Sequence, residues 1–399
     1  TADTVAGGAG SDTLNFTSDI TFATVATKLT NVSGFEKILL NNSIDLTLTD
    51  NAVAQLNGGA VSVTRANGTT AVIVIASAVN SSSATITVDG SSQTASGPMN
   101  YTIGLAKDVF TGTKNADQVT VTDDLMLAAT DSFSGGAGAD ILQVNVNGGA
   151  TAAASVSLTT AQMIGVESFS VIQIDDASTN NFFGITIDDA FVQRNALSSA
   201  LSISARDTGG TVSDASVTID ASAVTSTAVI TLNGGTKADT LKGGAGADEF
   251  LGLAGIDTMT GGGGKDDFKI NTVNTLNIIT DFDFGTGSTT VDQLDISGNT
   301  TVTYTGDFDV VQLAASATHS SDTDVVVLDA ATYATAAAAE DAAHAYTNGT
   351  GAGTDLIVIW QDSFGVVTVS VDTDDNIRQK FSLPCFAQDQ VCRGSCEVA

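Results

Sequence analysis

The sequence predicts an all-β protein: a β-solenoid, or parallel β-roll, flanked by duplicated β-rich modules and ending in a small helix and β-hairpin. Three observations lead there. Residues 234–269 read as four nine-residue blocks, "GGTKADTLK GGAGADEFL GLAGIDTMT GGGGKDDFK", with aspartate sixth in each. Stretches such as "ATITVDG" and "ALSISARD" alternate apolar and polar residues, which is the period of a half-buried strand. Long tracts of the chain also occur twice.

In each block the first six residues suit a tight turn and the last three a short strand. Glycine accepts positive φ without strain, so the turn can aim its carbonyls inward. The apolar eighth residue (Leu241, Phe250, Met259, Phe268) points into the interior. Two blocks complete one coil, and coils stack at the strand spacing of ~4.8 Å. Block n then lies beside block n+2, which sets Asp239 beside Asp257 and Asp248 beside Asp266, on opposite edges. Two carboxylates ~5 Å apart repel by about 3 kcal/mol at an effective dielectric of ~20. Two such pairs would erase much of a domain stability of ~5–15 kcal/mol. The stack therefore calls for a cation between the acids. Turn carbonyls and carboxylates make an all-oxygen cage, which suits Ca²⁺ better than Zn²⁺ and is too irregular for Mg²⁺.

The duplication organises the rest. "GGAGSDTLN" (7–15) and "GGAGADILQ" (135–143) are single copies of the same nonapeptide, carrying Asp12 and Asp140. Each has a further aspartate nine residues upstream, Asp3 and Asp131, and these four acids join the candidate metal ligands. "VSGFEKILL" (32–40) parallels "IGVESFSVI" (164–172), "TDNAVAQ" (49–55) parallels "IDDAFVQ" (187–193), and "VIVIASAV" (72–79) parallels "VTIDASAV" (217–224). "FTGTKNADQV" (110–119) likewise parallels "LNGGTKADTL" (232–241), and block 112–120 is a degenerate nonapeptide. The expected organisation is two β-rich modules, 1–127 and 128–233, a calcium roll at 234–300, a cap at 301–380 and an atypical tail at 381–399. Helices are expected at 188–200 and, in an Ala-rich stretch, at 329–346, followed by a hairpin over 355–374.

The four tandem blocks resemble the repeats-in-toxin (RTX) family, glycine-rich calcium-binding nonapeptides of secreted bacterial proteins. The following stretch, "NIITDFDFGTGSTTVDQLDIS" (277–297), is similar to the family's usual continuation. The wider pattern, with its isolated blocks and "GFE" or "GVE" strands, is similar to RTX-type surface-layer proteins. The resemblance implies type I secretion and calcium-driven folding outside the cell, with Ca²⁺ as the one cofactor. It implies ligands from the side chains of Asp239, Asp248, Asp257 and Asp266. Carbonyl ligands would come from Gly234, Thr236, Gly243, Ala245, Gly252, Ala254, Gly261 and Gly263. Leu253 departs from the motif at a second glycine, Thr236-Lys237 departs at the x-Gly step, and Lys237 and Lys265 add positive charge near the turns.

Composition narrows the function. Forty-five acids against fourteen Lys and Arg give a net charge of −31, and only five of the acids are Glu. A preference for the short, turn-compatible carboxylate places the acids in loops, where Asp bonds its own backbone or holds a cation; a merely soluble acidic surface is the alternative. Nucleic acid is excluded as a partner by the missing cationic clusters, and no apolar run reaches the ~18 residues of a membrane span. The chain starts Thr-Ala-Asp-Thr without an apolar leader, which reads as a processed N-terminus or a fragment. All three cysteines (Cys385, Cys392, Cys396) lie in the last fifteen residues, a tail that reads as foreign to a thiol-free body.

No catalytic constellation stands out, so the chain is expected not to be an enzyme. Only His319 and His344 occur, without a zinc-protease motif or a nucleophile elbow. Asp372, Asp374 and Asn376 are spaced like the start of an EF-hand loop, but Leu383 stands where its glutamate belongs. The acid pairs Asp123-Asp124, Asp175-Asp176 and Asp188-Asp189 read as helix starts or turns before they read as sites. Trp360 alternates within a strand and reads as core. The expected function is a secreted, calcium-dependent structural protein, a surface-layer or extracellular-matrix subunit assembling by lateral self-contact, with cell-surface polysaccharide as a candidate anchor. The alternatives are the C-terminal part of an adhesin or toxin, and an accessory region of an extracellular hydrolase.

Overall fold

The computed structural model describes residues 4–16, 29–41, 45–65, 68–93, 97–123, 125–145, 155–175, 181–196, 200–205, 215–269, 277–282 and 292–295. Of the chain beyond, it describes the backbone of five strands between 310 and 384. Val and Ile recur along segments such as Val72–Ala78, where Val72, Val74 and Ala76 are buried and Ile73, Ile75 and Ser77 half-buried. Strands of this kind pair in parallel, one coil upon the next, into three sheets. The first has seven strands, from Thr13–Phe16 to Val166–Glu167; the second has eleven, from Asp45–Thr49 to Gln293–Asp295. The third takes over from the first, with six strands from Ser155–Leu158 to Ile278–Ile279. Successive strands alternate between sheets, so each coil visits facing sheets, and their inner sides form one continuous apolar core. This is the all-β parallel solenoid that the periodicities predict.

The tandem blocks stack as expected. Thr240–Lys242 pairs with Thr258–Thr260, and Glu249–Leu251 with Asp267–Lys269, each in parallel and eighteen residues on. Leu241, Phe250, Met259 and Phe268 are all fully buried. Phe250 stacks on Phe268 at 4.8 Å between ring centroids, and Phe268 continues to Phe282 at 5.8 Å. The stretch after the blocks supplies the next coil: Ile278–Ile279 joins the third sheet and Gln293–Asp295 the second.

The duplication is visible in matching helix caps. In helix α1, Asp50–Asn57, the Thr49 side chain accepts from Ala52 N (3.3 Å). In helix α2, Asp189–Asn195, Asp188 accepts from Phe191 N (2.8 Å). Asp50 then accepts from Asn80 and Ser81 N, and Asp189 from Thr225 and Ser226 N. The structure thus equates Asp50 with Asp189, one residue off the register suggested by the motifs. Similarly, Gly34 (φ 69°) corresponds to Ser168 (φ 64°), each followed by a buried Phe, so the "GFE" and "GVE" motifs are not equivalent positions. Matching strands lie in different sheets, Ala60–Arg65 in the first and Ala200–Ser204 in the second. The second sheet passes 127/128 and 233/234 without a break.

Two expected helices are corrected. The one at 188–200 ends at Asn195, because Ala200–Ser204 is taken into the second sheet against Val229–Asn233. The one at 329–346 does not start at Asp329: residues 329–333 belong to the strand Val325–Tyr333, held against Leu356–Asp362. Sheet pairing from the preceding Val-rich run overrides alanine's helical preference there; 334–346 lie outside the described residues. The expected hairpin is present, Leu356–Asp362 antiparallel to Val366–Asp372, and Trp360 is a strand residue within it. It belongs to a five-stranded sheet with Val310–Leu313, Val325–Tyr333 and Gln379–Pro384.

Candidate metal centre

The turns of the solenoid line two edges. Those leading into the second sheet form one edge and carry Asp248 and Asp266; those leading into the third sheet form the other and carry Asp239 and Asp257. The predicted neighbours do meet. Asp239 N donates to Asp257 Oδ1 (3.0 Å), and Asp248 N donates to Asp266 Oδ1 (2.8 Å). The columns extend above through Val217 N to Asp239 and Ile230 N to Asp248. Below, they extend through Asp257 N to Asn277 and Asp266 N to Asp292. Within its own turn Asp239 Oδ2 accepts from Gly235 N, and Asp248 Oδ2 from Gly244 N. All four carboxylates therefore stitch their coil to the one before, and those of Asp239 and Asp248 also tie their own turn.

These acids are out of water: Asp239, Asp248, Asp257 and Asp266 are 2, 1, 0 and 1% exposed. Burial opposes their charge. It pushes Asp239 up to about 7, Asp266 to about 7 and Asp257 to about 8, the last aided by the neighbouring Asp239, and it raises Asp248 as well. Backbone N–H bonds pull the other way without winning. Without a counter-cation the columns are electrostatically unfinished.

The donor set fits a hard cation. Where Gly243 would carry a Cβ, Gly261 O and Asp248 Oδ2 converge; at Gly234 the same space faces Gly252 O and Asp239 Oδ2. A side chain at either position would fill the cradle. Asp257 Oδ2, fully buried, has no hydrogen-bond partner, nor has Asp140 Oδ2. Among the described residues no three acidic, His or Cys side chains converge, so carbonyls must complete any coordination sphere. Such mixed carboxylate and carbonyl oxygen sets are calcium's preference. The turn bonds between coils use second-position carbonyls, Gly235 O accepting from Ala254 N and Gly244 O from Gly263 N. Leu253, standing at a second glycine, is forced to φ 68°.

The family model for the RTX calcium-binding nonapeptide repeat (4 copies) matches residues 1–18, 128–144, 231–259 and 246–268. These are RTX calcium-binding repeats. RTX nonapeptides bind Ca²⁺, and the matched segments contain the four tandem aspartates together with Asp12, Asp131 and Asp140. Neither curated proteins nor solved structures yield a match. Proteins with RTX repeats are generally secreted, and among the described residues no helix is long and apolar enough to cross a membrane.

The outlying acids also stand just before solenoid strands, Asp140 before one of the second sheet and Asp12 and Asp131 before ones of the first. Asp140 Oδ1 accepts from Asp117 N (2.8 Å), burial pushes Asp140 up to about 6, and Asp131 Oδ1 accepts from Asp108 N (2.9 Å). Asp12 N donates to Glu36 Oε2 (2.7 Å). Asp3 lies outside the described residues. Sequence reasoning passed over Asp117, which sits in its turn as Asp239 does, accepting from Thr113 N and, at 2.6 Å, from Met99 N. Its signal was the degenerate block 112–120, where Gly112, Asp117 and Val119 keep the spacing. Asp281 was also missed as a site residue; it accepts from Gly261 N (2.7 Å) and Gly262 N (2.8 Å) and holds the last block from the coil below.

Of the acid pairs, Asp188 caps a helix and Asp123 ties a turn to Leu125 N. Asp175 accepts from Gln143 Nε2. Asp124, Asp176, Asp374, Asn376, His319, His344 and the three cysteines lie outside the described residues.

Proposed function

We propose that this chain is a non-enzymatic extracellular scaffold, a surface-layer or matrix subunit whose solenoid is completed by calcium and which assembles through its flat sides. The observation that carries this reading is the length and evenness of the stack. Eleven parallel strands at ~4.8 Å spacing make a rod face about 50 Å long. Outward positions of the first sheet line up in short side chains, Thr64, Asp89, Thr111 and Ser134 in one row. A second row runs Ser62, Thr87, Val109 and Ser132. Small side chains in register leave a level surface, which favours side-by-side packing over a ligand cleft. A chain used only as a secretion accessory would need the 234–297 region alone. Type I export and a cell-surface polysaccharide anchor belong to the same proposal.

Electron microscopy of the protein with calcium and with chelator tests it. Ordered sheets or filaments that disperse on chelation are expected. A monomer under every calcium condition, or turnover of a polysaccharide, lipid or protein substrate, would overturn it.

A further inference from the structure

Among the described residues, one full positive charge is buried in the solenoid. Arg65, the last residue of the strand Ala60–Arg65, is 1% exposed. Its Nη1 donates to Pro98 O; its Nη2 donates to Thr70 O and, at 3.3 Å, to Gly68 O, while Nε has no partner. Carbonyl oxygens from two successive turns therefore surround the guanidinium. Gln93 Nε2 steadies that group, donating to Gly68 O (2.9 Å) and Gly97 O (2.7 Å). Gly97 leaves the space open, since a Cβ there would collide with Arg65 Nη2 and the Gly68 and Thr70 carbonyls.

The position of this charge is what gives it meaning. Residues 66–71 and 90–98 connect the first sheet to the second, as 112–117 and 135–140 do. Arg65 thus reaches into the same edge that carries Asp117 and Asp140. A single peptide group joins cation to acid: Pro98 O accepts from Arg65, and the adjoining Met99 N donates to Asp117 Oδ1. Asp117 N in turn donates to Asp140 Oδ1. The charge of Arg65 also favours the ionised form of Asp117 against the effect of burial. Carbonyls gathered around one buried cation, next to a stacked carboxylate, are what a calcium ion meets in the RTX turns. Guanidinium is weakly hydrated, so it is the side-chain cation least opposed to leaving water.

We propose that Arg65 is a built-in cation, standing in for a metal ion at the N-terminal end of this edge, so that the coils around it keep their turns without calcium. The inference rests on reading the stacked acids as cation-holding. It divides the solenoid into a part whose counter-charge is covalent and permanent and a part whose counter-charge arrives from solution.

The test is hydrogen exchange on the full chain in EDTA, comparing the parent with Arg65→Lys and Arg65→Met and reading the strands Val72–Ala78 and Met99–Thr102. If the job is that of an ion, a lysine's point charge suffices and a methionine of similar bulk does not. Parent and Arg65→Lys should then stay protected, while Arg65→Met exchanges at least ~10-fold faster, equivalent to ~1.4 kcal/mol of lost protection. Methionine as protected as arginine, or lysine as exposed as methionine, would overturn the proposal. If Arg65→Met fails to fold at all, the parent and lysine comparison still decides. Exchange at 240–269 in the same parent samples, with and without EDTA, tests the calcium reading separately: indifference there would remove that reading and leave the lysine and methionine result intact.

Discussion

In the coils that carry the tandem blocks, strands are three residues long and stacked aspartates recur every eighteen residues. In the coils around Arg65, strands run four to seven residues, and the step between stacked positions varies from 18 to 23 residues. The longer strands bury more apolar surface per coil, Val72, Val74 and Ala76 on one strand against Phe250 alone on another. Buried acids on the N-terminal side also find partners among the chain's own side chains: the charge of Arg65 acts on Asp117, and the Tyr101 hydroxyl donates to Asp108, which burial nonetheless pushes up to about 7. The tandem coils have glycine, short strands and carboxylates facing a cradle. One architecture is thus held in two ways, by packing and internal charge in the coils around Arg65 and by ions in the tandem coils.

The largest expected effect is a pH slope in the tandem coils once calcium is removed. Asp239, Asp257 and Asp266 have folded values of about 7, 8 and 7, against an ordinary 3.8. A carboxyl raised by folding binds more protons in the folded state, so stability is greatest below the ordinary value and falls as pH rises toward 7–8. In EDTA the tandem coils should therefore be markedly more protected at pH 5 than at pH 8, as read by hydrogen exchange. Calcium should abolish that slope by supplying the counter-charge.

Next comes the packing column. Phe268→Ala removes a ring stacked on Phe250 and tilted against Phe282, and core Phe truncations cost about 3–5 kcal/mol. Thermal unfolding in calcium should show that loss, with exchange in Val72–Ala78 unchanged. A smaller and more pointed change is Asp257→Asn, which keeps an acceptor for Asp239 N and deletes the charge. Calcium affinity by calorimetry should weaken about tenfold, ~1.4 kcal/mol. The metal-free coil at pH 8 should gain stability, an opposite sign that a purely structural aspartate would not give. Smallest is Leu253→Gly, which relieves a left-handed φ of 68° and should stabilise the roll by about 1 kcal/mol.

The tandem roll was legible because its turns leave a fixed chemical trace. Glycine must stand where Asp239 Oδ2 and Gly252 O crowd Gly234, and aspartate must recur where coils are stitched. The N-terminal coils leave no such period, since their loops vary in length and only pairing aligns them; their β character could be read, but not the precise match of one module to the other. The slip at Gly34 and Ser168 shows why: what the copies share is a left-handed backbone position followed by a buried Phe, and "GFE" matched letters at other positions. Arg65 could not be read at all, because its partners are main-chain carbonyls with no identity in the sequence. The misread stretch at 329–333 failed for the usual reason that a neighbouring strand outweighs local propensity.

The most direct test of a cation between stacked acids is a calcium titration of the full chain followed strand by strand in hydrogen exchange. Thr240–Lys242, Glu249–Leu251, Thr258–Thr260 and Asp267–Lys269 should gain protection together as calcium rises, saturating while Val72–Ala78 and Met99–Thr102 stay protected throughout. Protection in the four short strands that is already complete in EDTA at pH 8 would contradict the account.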